Sequence, residues 1–303
     1  MDTALFEFLK SRGLEKYVKR DEPMSRHTTF RVGGAADFFV EIGSSGELME
    51  IIHYLTETDR SYFILGNGSN LLVGDKGYDG VILHLGERFN GITVEGNTIT
   101  AKAGALLSTV AKTAAKNGLS GMEFAAGIPG TMGGAVVMNA GAYEGEMKQI
   151  VTKVTVMTRD GEILELDNET MEFGYRTSII KNRPFIVLSA VISLEKGDAA
   201  SIQDKMDDFN KRRRSKQPLE YPSAGSTFKR PEGHYAGKLI MDAGLRGYRI
   251  GGAQVSEKHC GFIINVGNAT AADISELMDE VAERVEEQFS VTLEPEIIRI
   301  GNF

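Results

Sequence analysis

Two glycine-rich stretches constrain this chain more than any other feature. The first is Gly66-Asn-Gly-Ser-Asn-Leu-Leu72; the second is Gly127-Ile-Pro-Gly-Thr-Met-Gly-Gly-Ala-Val-Val-Met-Asn-Ala-Gly-Ala-Tyr143. Glycine lacks a Cβ, so it accepts left-handed dihedrals and lets main-chain N–H groups converge on anionic oxygens. In the second stretch Pro129 fixes one dihedral, Gly130, Gly133 and Gly134 permit close approach, and Asn139 and Gly141 follow in an apolar run. Two such cradles suit the two ends of a dinucleotide. The plainer readings are a tight turn for the first and a buried glycine-rich crossover for the second. Spacing alone does not choose between them.

The first stretch is not a Rossmann fingerprint. Leu71 occupies its third glycine position, and Leu71-Leu-Val73 reads as extended chain entering the turn Gly74-Asp-Lys-Gly77 rather than as a helix. The phosphate-loop pattern ending in Gly-Lys-Ser/Thr is absent as well.

Bulk properties bound the remaining classes. A chain of 303 residues with 42% hydrophobic and 25% charged residues buries a full core without disulfides. The formal net charge of -8 opposes nonspecific nucleic-acid binding. Cys260 is the only cysteine, which excludes an intramolecular disulfide and a multi-cysteine metal site. His27, His53, His84, His234 and His259 show no ligand spacing, so no metal is expected. The opening Met1-Asp-Thr-Ala-Leu-Phe-Glu-Phe-Leu-Lys10 has acids where a signal peptide needs bases. No apolar run reaches the roughly 18 residues of a spanning helix. The expectation is a cytoplasmic protein with no membrane segment.

Periodicity predicts an α+β chain. Leu5, Phe6, Leu9, Leu14, Tyr17 and Val18 outline an amphipathic opening helix interrupted by Gly13. Residues 30–42 read as a strand entered through a glycine turn, followed by a helix from Ser45 with Leu48, Ile51, Ile52 and Leu55 on one face. Strands are expected at 62–65 and, in short pieces, across 81–102, then a helix over 106–117 stopped by Gly118. Arg159-Asp-Gly161 joins strands 151–158 and 163–166, and 185–194 is a further strand. Helices are expected over about 200–215 and 271–289, the first closing on the basic run Lys211-Arg-Arg-Arg214 with Lys216.

Taken in order, further motifs join the two glycine stretches: Phe173-Gly-Tyr-Arg176, Ala224-Gly-Ser-Thr-Phe-Lys229, Ala243-Gly-Leu-Arg-Gly247, Gly251-Gly-Ala-Gln254 and Leu293-Glu-Pro-Glu296. The set resembles the UDP-N-acetylenolpyruvoylglucosamine reductase family over nearly the whole chain, in its shorter form without a capping-loop insertion. The resemblance implies an FAD-binding domain of the p-cresol methylhydroxylase/vanillyl-alcohol oxidase type, followed by an α+β substrate domain. The expected limits are 1–200, in two subdomains joined by the strand 296–303, and 201–295.

The same resemblance implies noncovalent FAD held by Gly66, Asn67, Gly68, Ser69 and Asn70, and by Ile128, Pro129, Gly130, Gly133, Gly134, Ala135, Asn139 and Gly141. It implies hydride passing from NADPH to the flavin and on to carbon 3 of UDP-N-acetylglucosamine enolpyruvate, giving UDP-N-acetylmuramate for peptidoglycan. Tyr175, Arg230 and Gln254 would contact this substrate. Flavin oxidase and non-enzymatic nucleotide-sugar binding are the alternatives, marked by rapid reoxidation in oxygen and by purification without yellow colour.

Three residues would carry the chemistry. Ser226 lacks the elbow of a nucleophilic serine and by itself reads as a turn residue; the family's matching serine is a general acid toward carbon 2. Arg176 by itself reads as a surface ion-pair partner; its family role is to grip the substrate carboxylate as negative charge grows. Glu296 by itself is an exposed acid at a strand start, and in the family it stands at the reacting group. Two bare carboxylates there would repel, so it must be protonated or bridged by Arg176.

Overall fold

The computed structural model describes residues 3–303; Met1 and Asp2 of the acidic opening lie outside the described residues. The chain forms two compact units, each with its own core. The first takes the residues up to Arg20 together with Phe38–Asn67 and Gly80–Lys211. The second takes Asp21–Asp37, Gly68–Asp79 and Arg212–Phe303. Compactness thus cuts the chain differently from the expected limits 1–200 and 201–295. Two short N-terminal segments pack with the C-terminal third.

In the first unit a five-stranded antiparallel sheet runs in the order Ile163–Asp167, Val151–Met157, Ile186–Ser193, Thr98–Lys102, Ile92–Glu95. Its β-branched residues, among them Val154, Val156, Ile192 and Ile99, are buried. A four-stranded sheet has the order Val18–Pro23, Ala35–Glu41, Tyr78–His84, Tyr62–Leu65, and its last two strands are parallel. The helix Ser45–Glu57 buries Leu48, Ile51, Ile52 and Leu55, as its spacing predicts. Ser44 Oγ accepts from the N–H of Glu47 over 3.1 Å, satisfying an orphan donor of the helix start, while the Glu47 carboxylate accepts from the N–H of Gly43 over 2.7 Å, ahead of the cap.

The second unit is built on the helix Ala271–Phe289, which buries Ile274, Leu277, Met278, Val281 and Val285. Thr270 and Asp273 form a reciprocal cap, and the Asp75 carboxylate accepts from the N–H groups of Ala271 and Ala272 over 2.8 and 2.9 Å. A three-stranded antiparallel sheet, Arg249–Ile250, Ala253–Val255 and Ile263–Asn265, lies in the same unit. The C-terminal strand Ile298–Ile300 pairs in parallel with Leu71–Val73.

Three local expectations change. Beyond the expected interruption at Gly13, which takes φ +73, the opening helix does not resume: Glu15–Tyr17 is a single tight turn and Val18 begins a strand. The strand expected over 30–42 is extended only over Ala35–Glu41; left-handed Arg31 and Gly33 precede it, and Gly34 donates to the carbonyl of Gly74 instead. The second glycine stretch contains a short helix, Met132–Val137, so Gly133, Gly134 and Ala135 are helical rather than loop residues.

Candidate active site

In the first unit Gly66 and Asn67, which open the first glycine stretch, meet the second stretch. Asn67 Nδ2 donates to the carbonyl of Pro129 over 2.8 Å, and a Cβ on Gly66 would lie 2.4 Å from Thr131 Oγ1. Met132 and Gly133 donate their N–H groups to the carbonyls of Ala105 and Ala103, which anchors the helix start. Gly133 is a packing glycine, since a Cβ there would come within 2.9 Å of the Ala103 methyl. Gly134 is different. It is exposed, and a Cβ would meet only Thr131 Oγ1, at an ordinary 3.7 Å. Its bare backbone faces outward beside Ala135, which is buried, and beyond the half-buried Ile128 and Gly130.

Asn139 and Arg176 both take left-handed backbone, with φ of +42 and +56. For residues with a side chain such conformations cost energy and persist where the surroundings impose them. Here each holds the other's segment. Buried Asn139 donates from Nδ2 to the carbonyl of Gly174 over 3.0 Å and accepts from the N–H of Lys148 over 2.8 Å. Arg176 Nη2 donates to the carbonyl of Gly141 over 3.3 Å, and its guanidinium lies 5.3 Å from the ring centre of exposed Tyr175. Arg176 as a whole is half-buried.

The second unit links Asn70 and Glu296 to Thr227, the chain neighbour of Ser226. Gly68 has φ +57, and a Cβ there would lie 1.9 Å from the carbonyl oxygen of His27. Ser69 and Asn70 lead on into the strand Leu71–Val73. Asn70 Nδ2 donates to the carbonyl of Glu296 over 3.0 Å. The N–H of Glu296 donates to the carbonyl of Thr227 over 2.9 Å, and Phe228 pairs with Pro295. Thr227 is itself fully buried: its N–H donates to Gly261 over 2.8 Å and its Oγ1 accepts from the N–H of Ile263 over 3.0 Å. Ser226 is exposed next to this anchor.

The other expected substrate contacts are less committed to this cluster. Arg230 is exposed with its guanidinium 4.5 Å from the Tyr235 ring centre, and Gln254 Nε2 donates to the carbonyl of Gly247 over 3.1 Å. Arg176, Tyr175 and the second glycine stretch belong to the first unit; Ser226, Arg230, Gln254 and Glu296 belong to the second.

Two titrating groups brace these segments. Burial alone would raise the Glu123 carboxyl, but hydrogen bonds from Ser120 and Gly121 and the charge of Lys205 outweigh it and hold it below its ordinary value. This fixes an anion just ahead of Gly127. Burial pushes the His259 imidazole below its ordinary value, and its Nδ1 accepts from the N–H of Gly261 over 3.1 Å.

Comparison with known proteins decides the family. Residues 217–300 match the UDP-N-acetylenolpyruvoylglucosamine reductase C-terminal domain, and residues 36–167 match an FAD binding domain. The UDP-N-acetylenolpyruvoylglucosamine reductase of Caldanaerobacter subterraneus subsp. tengcongensis is 53% identical over 301 residues, 99% of each chain. The chain belongs to the UDP-N-acetylenolpyruvoylglucosamine reductase family.

The crystal structure of that reductase from Thermus caldophilus has a TM-score of 0.80 at 36% identity, covering 93% of this chain and 98% of the other. An alkyldihydroxyacetonephosphate synthase shares the fold alone, with a TM-score of 0.50 at 17% identity over 65% of this chain and 41% of the other. This reductase-family chain is therefore an FAD-dependent oxidoreductase with an α+β fold, an FAD-binding domain and the family's C-terminal domain.

The residues present fit FAD. Both glycine stretches fall within the matched FAD-binding segment. Within the first unit Gly134 leaves main chain open to a ligand; within the second, Thr29 Oγ1 is a buried hydroxyl oxygen with no hydrogen-bond partner among the described residues. Thr29 also donates its N–H to the carbonyl of Gly68 over 3.2 Å. Sequence reasoning for this reductase-family chain missed the 27–34 segment, reading most of it as strand. The available signal was Arg31-Val-Gly-Gly34, whose adjacent glycines favour a sharp reversal over a ladder. No helix among the described residues is long and apolar enough to cross a membrane. No cluster of metal-binding side chains occurs among them either.

Proposed function

We propose that the protein reduces UDP-N-acetylglucosamine enolpyruvate to UDP-N-acetylmuramate at the expense of NADPH, in the cytoplasm, as a step of peptidoglycan precursor synthesis that supports cell shape and division. The observation that carries this reading is the backbone clamp joining Glu296 to Thr227, next to Ser226. Two of the three residues assigned to the chemistry come from distant parts of the sequence and share one anchored node. The name and 99% coverage of the Caldanaerobacter relative support the substrate.

FAD, when bound, supplies the two-electron link between NADPH and the enolpyruvyl double bond. The glycine stretches would hold it through main-chain N–H groups, chiefly around Asn67, Gly68 and Gly134. The chain's own side chains then manage charge and protons. Addition of hydride at carbon 3 leaves an electron pair at carbon 2, delocalised into the carboxylate. In the role that the family resemblance implies, Arg176 would meet that growing charge with its cationic fork. Glu296 orients the same group. Ser226 donates its hydroxyl proton to carbon 2 and regains one from solvent, completing a net gain of hydride and proton. A hydroxyl is a weak acid, so this step needs the substrate to exclude water from the exposed Ser226.

The test is anaerobic. The purified yellow protein is reduced with NADPH, then mixed with the enolpyruvyl nucleotide. Return of the flavin absorbance supports the reading; a flavin that stays reduced refutes it.

A further inference from the structure

Asn70 stands in the first glycine stretch, where side chains are expected to serve a cofactor, yet its side chain is committed within the protein. Nδ2 donates to the carbonyl of Glu296 over 3.0 Å. The amide orientation follows from chemistry, since Oδ1 at that distance would set two acceptors against each other. The main chain of Asn70 grips the same strand a second time, its carbonyl accepting from the N–H of Ile298 over 3.0 Å. On the other side of residue 296, its N–H donates to the carbonyl of Thr227. Both backbone groups of Glu296 are therefore fixed by named partners, one of them an uncharged side chain that lies outside every regular ladder.

We infer that Asn70 is a positioning residue for Glu296: its amide fixes the peptide from which the glutamate side chain springs. This inference rests on the proposed reaction, in which Glu296 orients the reacting group. Holding a functional group within a fraction of an ångström needs such supporting bonds, and misplacement by about 1 Å costs on the order of 10²-fold in rate. Asn70→Ala removes the donor, and Asn70→Asp keeps the shape but sets a carboxylate against the Glu296 carbonyl.

The experiment separates the two half-reactions in the enzyme held at saturating FAD. Reoxidation of the reduced enzyme by saturating enolpyruvyl nucleotide is expected to slow by about 10–100-fold in both variants. Reduction by NADPH in the same samples is expected to slow at least about tenfold less than reoxidation does. In a Glu296→Gln background, Asn70→Ala should add less than about threefold to the loss in reoxidation, because the two act as one unit. Equal slowing of both half-reactions, or a further tenfold loss in that background, overturns the inference. Should Asn70→Ala fail to fold, Asn70→Asp carries the same measurements. A wild-type enzyme that the nucleotide cannot reoxidise refutes the reaction itself; a wild type that turns over beside unaffected Asn70 variants refutes only the role of Asn70.

Discussion

The N–H of Glu296 donates to the carbonyl of Thr227 over 2.9 Å, binding the segment after Pro295 to the segment that carries Ser226. Thr227 in turn spends its N–H, its carbonyl and its hydroxyl oxygen on three different strands or turns. A buried threonine with that many commitments is a fixed reference point. The flanking Ser226 inherits its position from it.

Removing the Ser226 hydroxyl should therefore leave structure and flavin intact while stopping protonation. In Ser226→Ala, reduction by NADPH is expected to continue at the wild-type rate. Reoxidation by the enolpyruvyl nucleotide should fall by about 10²–10⁴-fold. Stopped-flow absorbance of the flavin resolves the two steps, and unchanged turnover would remove Ser226 from the mechanism.

Thr227→Val is nearly isosteric but leaves the N–H of Ile263 without an acceptor in a buried place. An unsatisfied buried group costs about 1–3 kcal/mol. Urea denaturation should show that loss with an unchanged m value. A stability within experimental error of wild type would mean that Ile263 finds another partner.

Gly68 and Gly134 should answer differently to alanine. At Gly68 the new Cβ would strike the backbone of His27 from a left-handed conformation, so Gly68→Ala is expected to lower soluble yield sharply. At Gly134 the space is open and the residue helical, where alanine is favoured by up to about 1 kcal/mol. Gly134→Ala apoprotein should be as stable as wild type or more so, yet bind FAD at least about tenfold more weakly, because the methyl stands where the ligand would approach main chain. Calorimetry of apoprotein and FAD titration check the pair. Undiminished FAD affinity in Gly134→Ala would move the cofactor contact elsewhere.

His259 sets a pH dependence. Burial lowers its pKa in the folded state, so the unfolded chain binds the proton more readily. Its contribution to stability is present above the ordinary histidine value of about 6.5 and is lost as pH falls below it toward the folded value. The melting temperature should drop between about pH 7.5 and 5.5, and drop less in His259→Asn, whose amide oxygen can still accept from Gly261. Equal drops in both proteins would assign the effect to other groups.

Much of the local structure was legible. The spacing of Leu48, Ile51, Ile52 and Leu55 and the Arg159-Asp-Gly161 turn report directly on period and turn chemistry, which are properties of neighbours in sequence. The helix Ala271–Phe289 was equally plain, with Thr270 at its start. The 27–34 segment was not legible, because its hydrogen bonds go to Gly68 and Gly74 and its conformation answers to them. The helix in the second glycine stretch was hidden for a related reason: glycine is a poor helix former, and Met132 and Gly133 are held by carbonyls of Ala105 and Ala103.

The order of the motifs along the chain determined the family, the flavin chemistry and the short list of residues worth testing, since residue identity and spacing are what a sequence contains. Tertiary structure alone decided which of those residues share a scaffold. Asn70, Thr227 and Glu296 are linked through main-chain carbonyls, and every residue type carries the same carbonyl. No pattern of side chains announces such a bond; only the folded path of the backbone creates it.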